Sequence, residues 1–518
     1  MIPGKLQRYF LLIILALVII SRLPTLFFPI LDSHEANYAV QTAVWMDGGI
    51  PYVDFVENKT LLIHTWYRTI FSMFGTYNMT ALHIADTLLI LLTIAGIFFF
   101  TRYILGERTA RWAALLYAVA QSMYDLNDFM ANNSEMLVNA FAVFGAYIFF
   151  KSMREDRPAI SLVAGVIIGI SMLAKISGIS LLAACILSMV WFWKEQKKHH
   201  WNRYIEEGVL LLIGVLFPAM LFISHVVDVG GMSGILRWTL VENLQYSKLG
   251  ISFEDIVTRG LMQSGKFLLA TAWLWILAIW AIVWFARRHR WRTEVIFLTA
   301  WIIFTIPAMT RGGRFFMNYY LQFLPPLTIL AALGIVNRWQ FYLRSRSVSP
   351  RNRKSLQAAF IILVFAVPYL FCLWLHIYEV GKLKERMVPV QNIARASEQY
   401  TDVKDHVFVW GNNADIYFFS RRKPASRFVY CSYLSGIKEG YEDHPVMMKR
   451  RPDFNAWLML KKDFERRPPR VIVDMSPTGR GGYDKAPIQD QLYLANYLSD
   501  GFRKVESVNG ADIYVRRK

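Results

Sequence analysis

Four stretches of this sequence carry residue types from which group transfer to or from a phosphorylated substrate can be built. The stretch from Leu31 to Leu62, LDSHEANYAVQTAVWMDGGIPYVDFVENKTLL, holds Asp32, Glu35, Asp54, Glu57 and Lys59. Asn132-Asn133-Ser134-Glu135 is a second stretch and Lys175 marks a third. TRGGRFFMNYY, from Thr310 to Tyr320, adds Arg311, Arg314, Asn318, Tyr319 and Tyr320. A positioned carboxylate can take the proton of an attacking hydroxyl. Lys and Arg bind phosphate, Arg as a planar fork. Each residue also has a plainer reading: Asp32 as a solvated end cap, Glu135 as a charge at a helix start, Lys175 as a snorkelling anchor, Arg311 and Arg314 as interfacial cations. What raises the chemical reading is their density and, as shown next, their common side.

The elements that must position them are membrane spans. Of 518 residues, 55% are hydrophobic and only 18% are charged, below the usual quarter for soluble domains. Apolar runs near 9–29, 80–101, 111–125, 135–150, 159–174, 177–193, 205–227, 266–286, 293–309, 318–337 and 357–378 are read as eleven spans, each judged against a requirement of about 20 residues. The run over 159–193 is broken by AKISG, which predicts two short helices with a tight turn at Lys175–Gly178. The first run follows Lys5 and Arg8 and has no small-residue cleavage site after it, so an uncleaved span is expected rather than a signal peptide.

With the N-terminus in the cytoplasm, the cytoplasmic segments hold about 22 Lys and Arg, against about 9 in the opposite loops. Basic residues accumulate on the cytoplasmic side of membrane proteins. The same bias accounts for the net charge of +19 without nucleic acid, for which no motif is present. An odd number of spans puts the chain's C-terminal part outside, and all four chemical stretches fall on that outer side. A polar cavity at the outer bilayer surface, with carboxylates and cations, suits a lipid-linked phosphate. No Gly-rich nucleotide loop is visible, and nucleotide sugars are not normally available outside. A polyprenyl-phosphate-linked sugar meets these constraints.

Two domains are expected: a transmembrane module over 1–378 and an extracytoplasmic α/β domain over 379–518. In the first, the loop 30–79 carries interfacial helices, since LLIHTWYRTIFSMFG has apolar residues at helical spacing. In the second, a helix over VPVQNIARASEQYTD precedes β-type runs HVFVWG, DIYFFS, RFVYC, RVIVDM and DIYVRRK. Of the three cysteines, Cys431 alone lies in this domain, which excludes a disulfide framework there. Several outward carboxylates leave a divalent metal open, although no ligand spacing points to one, and no organic cofactor is expected.

These residues resemble the GT-C glycosyltransferases, which include protein O-mannosyltransferases and the bacterial aminoarabinose transferases that modify lipid A. The first loop of that family has an acidic residue, a Tyr shortly after, a Gly-Gly-x-Pro-Tyr-x-Asp-Phe block and a Glu-Asn-Lys. Here these are Asp32, Glu35, Tyr38, Gly48, Gly49, Pro51, Tyr52, Asp54, Phe55, Glu57, Asn58 and Lys59. GISMLAKISG and GGRFFMNYYLQFLPPLTILAA are similar to the family's Lys-bearing and late Arg-Phe segments, and VFVWGNNADIYFFSRRKPASRFVY to the start of the outer domain in bacterial members.

The resemblance implies an inverting transfer from a polyprenyl-phosphate sugar to a hydroxyl of an envelope lipid, glycan or protein. Catalysis would fall to Asp32 or Glu35, because relatives have adjacent Asp-Glu where this chain has Asp-Ser-His-Glu. Lys59, Lys175, Arg311 and Arg314 would hold the donor phosphate. Tyr38, Tyr52, Asp54, Glu57, Asn133, Glu135, Asn318, Tyr319 and Tyr320 would complete the substrate site. Thr60-Leu61 replaces the family's Pro-Pro, and Asn318 replaces its His. The alternative reading is a transporter or flippase of lipid-linked sugar or phospholipid. Transporters commonly carry internal repeats and polar residues at mid-bilayer, and no repeat is evident here.

Overall fold

The structure, a computed structural model, describes residues 9–196, 201–228, 232–241, 252–288, 292–310, 312–339, 349–437, 440–442 and 454–517. The chain forms two compact units.

The first unit comprises residues 1–29, 80–225 and 253–379 and is helical. Among the described residues, eight helices are long and apolar enough to cross a membrane, which makes this a multi-pass membrane protein. The helices Phe253–Ala270 and Ala272–Arg287 form a further broken span, bent by 85°. Pro158–Ala174 is apolar but shorter. The run expected as a span over 111–125 differs. Its helix is Glu107–Ala120 and stops at Gln121, whose backbone N–H turns back to Tyr117 and Val119. The predicted break at Lys175–Gly178 is a 3₁₀ turn, opened by Lys175 in an extended conformation (φ −160°, ψ 136°).

Glycine sets how closely these helices pack. A Cβ on Gly165 would lie 2.1 Å from the Leu211 carbonyl, and one on Gly214 would lie 2.2 Å from that of Leu162. The helices Pro158–Ala174 and Trp201–Asp228 therefore touch backbone to backbone, as small residues allow in membranes, where apolar burial alone does not drive helices together.

The second unit comprises residues 30–79, 226–252 and 380–518. Its sheet contains β1 (His406–Trp410), β2 (Lys423–Pro424), β3 (Pro469–Asp474), β4 (Phe502–Val508) and β5 (Ala511–Arg516), in the order β2-β1-β3-β5-β4. β2, β1 and β3 run parallel, while β5 is antiparallel to both β3 and β4. Val407, Val409, Val471, Val473 and Ile513 are buried in this sheet.

Two of the expected strands differ. Residues of DIYFFS form the helix Ala414–Ser420, which is held to β1 by the Tyr417 hydroxyl accepting from the Val409 N–H at 2.8 Å. RFVYC forms no strand. β4 and the short β2 are additional. β4 closes on β5 through Asn509-Gly510, both at positive φ (48° and 85°), the backbone that a two-residue hairpin turn demands.

Within the same unit, the segment 30–79 holds two helices, Ser33–Met46 and Leu62–Phe74, packed on one another. The second is amphipathic and buries Ile63, His64, Tyr67, Ile70 and Phe71, the i, i+4, i+7 stripe expected from the sequence. Gly48 ends the first helix at φ 89°. A Cβ on Gly49 would lie 2.7 Å from the Val44 carbonyl, so the turn between the helices has room only for glycine there.

Candidate active site

Asp32 and Glu35 both serve the start of the Ser33–Met46 helix, in different ways. Asp32 is its N-cap: Oδ1 accepts from the Ser33 N–H at 2.7 Å and Oδ2 from that of His34 at 3.3 Å. Glu35 points backward, and its Oε2 accepts from the Leu31 N–H at 2.7 Å. This is a variant of the capping box, in which a side chain in the first turn satisfies a donor just outside the helix. Glu35 is 0% exposed, whereas Asp32 is partly exposed. Of the two carboxylates, only that of Asp32 is thus within reach of the surroundings. It lies at a helix N-terminus, where the backbone dipole favours negative charge.

Tyr38 lies on the same helix, and the Lys59 ammonium donates to its hydroxyl. The ammonium also lies 5.1 Å from the centre of the Tyr38 ring. Two contacts hold the backbone of Lys59. Its carbonyl accepts from the Tyr52 hydroxyl at 2.8 Å, and its N–H donates to Glu57 Oε1 at 3.0 Å. Tyr52 is buried and sits at φ 66°, a conformation a bulky residue adopts only when its surroundings hold it. Burial and the neighbouring Glu57 raise the Tyr52 phenol above its ordinary range, so it stays protonated as the donor to Lys59.

Around Glu57 is a polar cluster whose other members, Gln41 and His64, belong to no sequence motif. Gln41 Nε2 donates to the Val56 carbonyl at 2.9 Å, which leaves Gln41 Oε1 to accept from His64 Nε2 at 2.8 Å. His64 is fully buried, with Nε2 3.6 Å from Glu57 Oε2. Burial pulls its pKa down to about 4 against the opposing pull of Glu57, so the ring is neutral at physiological pH. An apolar helix stripe that includes a His was the only signal for it in the sequence.

Asp54 is engaged elsewhere. Its Oδ2 accepts from the Ile50 N–H at 2.8 Å, while Oδ1 is bonded to Arg466 and lies 3.6 Å from Arg467. Arg427 accepts the Val56 N–H on its carbonyl at 3.1 Å and pairs with Asp463 at 2.7 Å. The turn from Ile50 to Lys59 is thus braced from residues 427–467 of the same unit.

The first unit brings together a second group. Glu135 lies in the first turn of the helix Ser134–Glu155 and is ion-paired to Lys175. Asn318 Nδ2 donates to Glu135 Oε2 at 3.5 Å, and the Lys175 ammonium stands 3.3 Å from the centre of the Tyr319 ring, a close cation–π contact. Asn133 turns inward to the carbonyls of Asp128 and Ala131. Arg314 is 8% exposed, its carbonyl accepts from Arg259 Nε at 2.8 Å, and its guanidinium faces the Phe316 ring. Tyr320 is bonded to Ser264 at 2.8 Å. Arg311 lies outside the described residues.

The same unit holds ionisable groups inside apolar runs that the sequence reading passed over. Arg22 is 1% exposed and donates to the Met130 carbonyl at 2.9 Å and to Thr87 Oγ1 at 3.2 Å. His83 Nδ1 meets the Thr25 carbonyl at 2.7 Å, and Asp86 accepts from Asn132. Their charge within long apolar segments was the available signal, since such residues are costly there. Among the described residues, no three His, Cys, Asp or Glu side chains converge as a metal site.

Comparison with known proteins adds to this geometry. Residues 58–224 match the family described as dolichyl-phosphate-mannose-protein mannosyltransferase. No match is found among curated protein sequences. Among solved structures, ArnT from Cupriavidus metallidurans in the apo state is similar at 15% identity and a TM-score of 0.58, covering 99% of this chain and 98% of that one. The same protein bound to undecaprenyl phosphate aligns at 16% identity with the same TM-score and coverage. The oligosaccharyltransferase AglB from Archaeoglobus fulgidus, in complex with an inhibitory peptide and a dolichol-phosphate, aligns at 13% identity and a TM-score of 0.57, covering 99% of this chain and 75% of that one. Along nearly its whole length, this chain shares the fold of these two proteins.

Proposed function

We propose that this protein is an inverting glycosyltransferase that moves a sugar from a polyprenyl-phosphate carrier to a hydroxyl of an envelope lipid, glycan or protein. The observation that carries the reading is the division of roles in the 31–59 segment. Asp32 is a partly exposed carboxylate at a helix start, Glu35 is buried, and Lys59 is fixed by Tyr38, Tyr52 and Glu57. Asp32 takes the proton from the acceptor hydroxyl as that oxygen bonds to the anomeric carbon. The bond from that carbon to the phosphate oxygen breaks, and polyprenyl phosphate leaves with the electron pair. A single displacement inverts the configuration.

Lys59 is assigned to the leaving phosphate, and so are Lys175 and Arg314 of the first unit. A cation held in place before charge develops contributes more than one that must reorganise. Lys175 is held by Glu135 and Tyr319. The solved ArnT with undecaprenyl phosphate and AglB with dolichol-phosphate support a polyprenyl carrier. The Lys/Arg bias supports a cytoplasmic N-terminus, residues 379–518 outside, and residence in the cytoplasmic membrane.

The test uses purified protein and a panel of polyprenyl-phospho-sugars. Asp32→Asn should lower turnover by roughly 10²- to 10⁴-fold, the range for a general base, while Glu35→Gln keeps most of it. Wild-type turnover by Asp32→Asn would remove the assignment. Lipid movement in liposomes without any release of polyprenyl phosphate would favour a transporter.

A further inference from the structure

The helix that Asp32 caps holds its side chain, and its backbone is held from both sides as well. On the helix side, the Asp32 carbonyl accepts from the Glu35 N–H at 3.1 Å. On the other side lies the peptide unit that joins Leu31 to Asp32. A peptide unit is planar, so the Leu31 carbonyl oxygen and the Asp32 Cα move together. Leu31 is fully buried. Its N–H donates to Glu35 at 2.7 Å, and its carbonyl accepts from Arg386 Nη2 at 3.0 Å. A contact that fixes this oxygen also fixes the point from which the Asp32 carboxylate projects.

Arg386 belongs to the same unit but to a remote part of the chain. It lies on the helix Val367–Gln399, whose residues from 380 onward group with the sheet. Its own carbonyl accepts from Arg480 Nη2 at 3.3 Å. Arg480 stands in the turn Gly479-Arg480-Gly481-Gly482, whose glycines have φ of 67°, 63° and 73°, a backbone that favours glycine. Asp415 lies in the first turn of the helix Ala414–Ser420 and feels both guanidinium groups. Burial raises its carboxyl above the usual carboxylate range, against the opposing pull of Arg480 and of Arg386. Two cations and one carboxylate from residues 380–518 thus act together next to Leu31.

A charged donor on a carbonyl holds it more strongly than a neutral donor does. Arg386 places that donor on the peptide unit that leads into Asp32, on the side opposite the helix. A reacting group displaced by about 1 Å can lose roughly 10²-fold in rate. Loss of this bond should therefore be felt in turnover rather than in the affinity for the donor.

We propose that Arg386 is a positioning residue for the transfer. It holds the Leu31–Asp32 peptide so that the Asp32 carboxylate meets the acceptor hydroxyl, and Arg480 and Asp415 keep Arg386 in place. This rests on the reading of Asp32 as the base. Arg386 itself touches no substrate and moves no proton. Residues 380–518 thereby take part in the transfer step through the placement of the base.

The test compares the wild type, Arg386→Ala, Asp32→Asn and the double variant, each as the intact purified chain, with polyprenyl-phospho-sugars and candidate acceptors. Arg386→Ala should lower kcat by roughly 10- to 100-fold and change the donor KM by less than about twofold. Added to Asp32→Asn, it should change the residual rate by less than about twofold, because it acts only through that carboxylate. A brace unrelated to the base would lower the rate in both backgrounds alike. Hydrogen exchange read by mass spectrometry needs no turnover. The amides of residues 31–34 should exchange about tenfold faster in Arg386→Ala, with those of residues 62–74 unchanged. Arg386 is exposed, so this variant is expected to fold, and Arg480→Ala, which should shift the exchange less in the same direction, gives a second reading. Unchanged exchange over 31–34, or equal losses in the two backgrounds, would overturn the inference. An active wild type beside an equally active Arg386→Ala would overturn this role alone. A wild type that transfers from no donor would overturn the transferase reading and this role with it.

Discussion

Asp32 and Glu35 divide one helix start between them: Asp32 satisfies the N–H groups inside the helix, and Glu35 satisfies that of Leu31 just outside it. The sequence Asp-Ser-His-Glu left two candidate bases. Burial separates them, and it also separates what their loss should do to the fold.

Glu35→Ala removes a fully buried acceptor and leaves the Leu31 N–H without it, a change worth about 1–3 kcal/mol. Asp32→Asn keeps an excellent N-cap and should change stability by a few tenths of a kcal/mol. Thermal unfolding of the two variants in the same detergent checks this. A larger loss in Asp32→Asn than in Glu35→Ala would contradict the division.

Lys59 should matter through its charge and its placement together. Lys59→Met removes the cation assigned to the leaving phosphate and should lower kcat/KM for the donor by roughly 10²-fold, of the order seen for one lost transition-state contact. Tyr38→Phe leaves the charge and removes only the hydroxyl that receives it. Its effect should be several-fold smaller. Steady-state kinetics against donor concentration decides the order.

The brace on the 50–59 turn gives a third expectation. Arg466 is 55% exposed, so its ion pair with Asp54 is screened and contributes no more than about 1 kcal/mol. Asp54 is itself buried and also holds the Ile50 N–H. Asp54→Ala should therefore destabilise by about 1–3 kcal/mol, and Arg466→Ala by less. High salt should shrink the Arg466 effect more than the Asp54 effect.

His64 predicts a pH dependence of stability. Its folded pKa of about 4 lies below the unfolded value near 6.5. Between these values the unfolded chain binds a proton that the folded chain does not. Stability is thus fully present above about pH 6.5 and is lost as pH falls toward 4, by roughly 3 kcal/mol. His64→Gln should flatten the melting-temperature profile across that window, and an unchanged slope would show that other groups set it.

The chemical stretch from Leu31 to Leu62 was readable because its signals are local. A cap residue, a glycine at positive φ followed by one with no room for a side chain, and an amphipathic stripe each depend on near neighbours. The same holds for the break at Lys175–Gly178, for β1 and β3, which are buried almost without interruption as strands covered on both faces are, and for β5, whose buried and half-buried residues alternate. Asp-Ile-Tyr-Phe-Phe-Ser was misleading. Its aromatics suit a strand, yet Tyr417 is drawn back onto the Val409 N–H as part of a helix. β4, FRKVESV, is polar on one side and was passed over, although the Asn509-Gly510 turn after it was a usable hairpin signal.

What local reading does not supply is long-range pairing. That Asp54 meets Arg466, more than four hundred positions later, and that Glu35 is spent on Leu31 follow only from the folded chain. Arg22, His83 and Asp86 were readable in principle as charges within apolar runs, but nothing in the sequence indicated their partners.

The central claim is a single displacement at a sugar carried on a polyprenyl phosphate. Its most direct test is to incubate the purified protein with anomerically defined polyprenyl-phospho-sugars and candidate acceptors. Released polyprenyl phosphate is then quantified, and the anomeric configuration of the product is assigned by NMR. The account predicts equal amounts of polyprenyl phosphate and glycosylated acceptor, with inverted configuration, and loss of both in Asp32→Asn. A retained configuration, or undiminished turnover in Asp32→Asn, would contradict it.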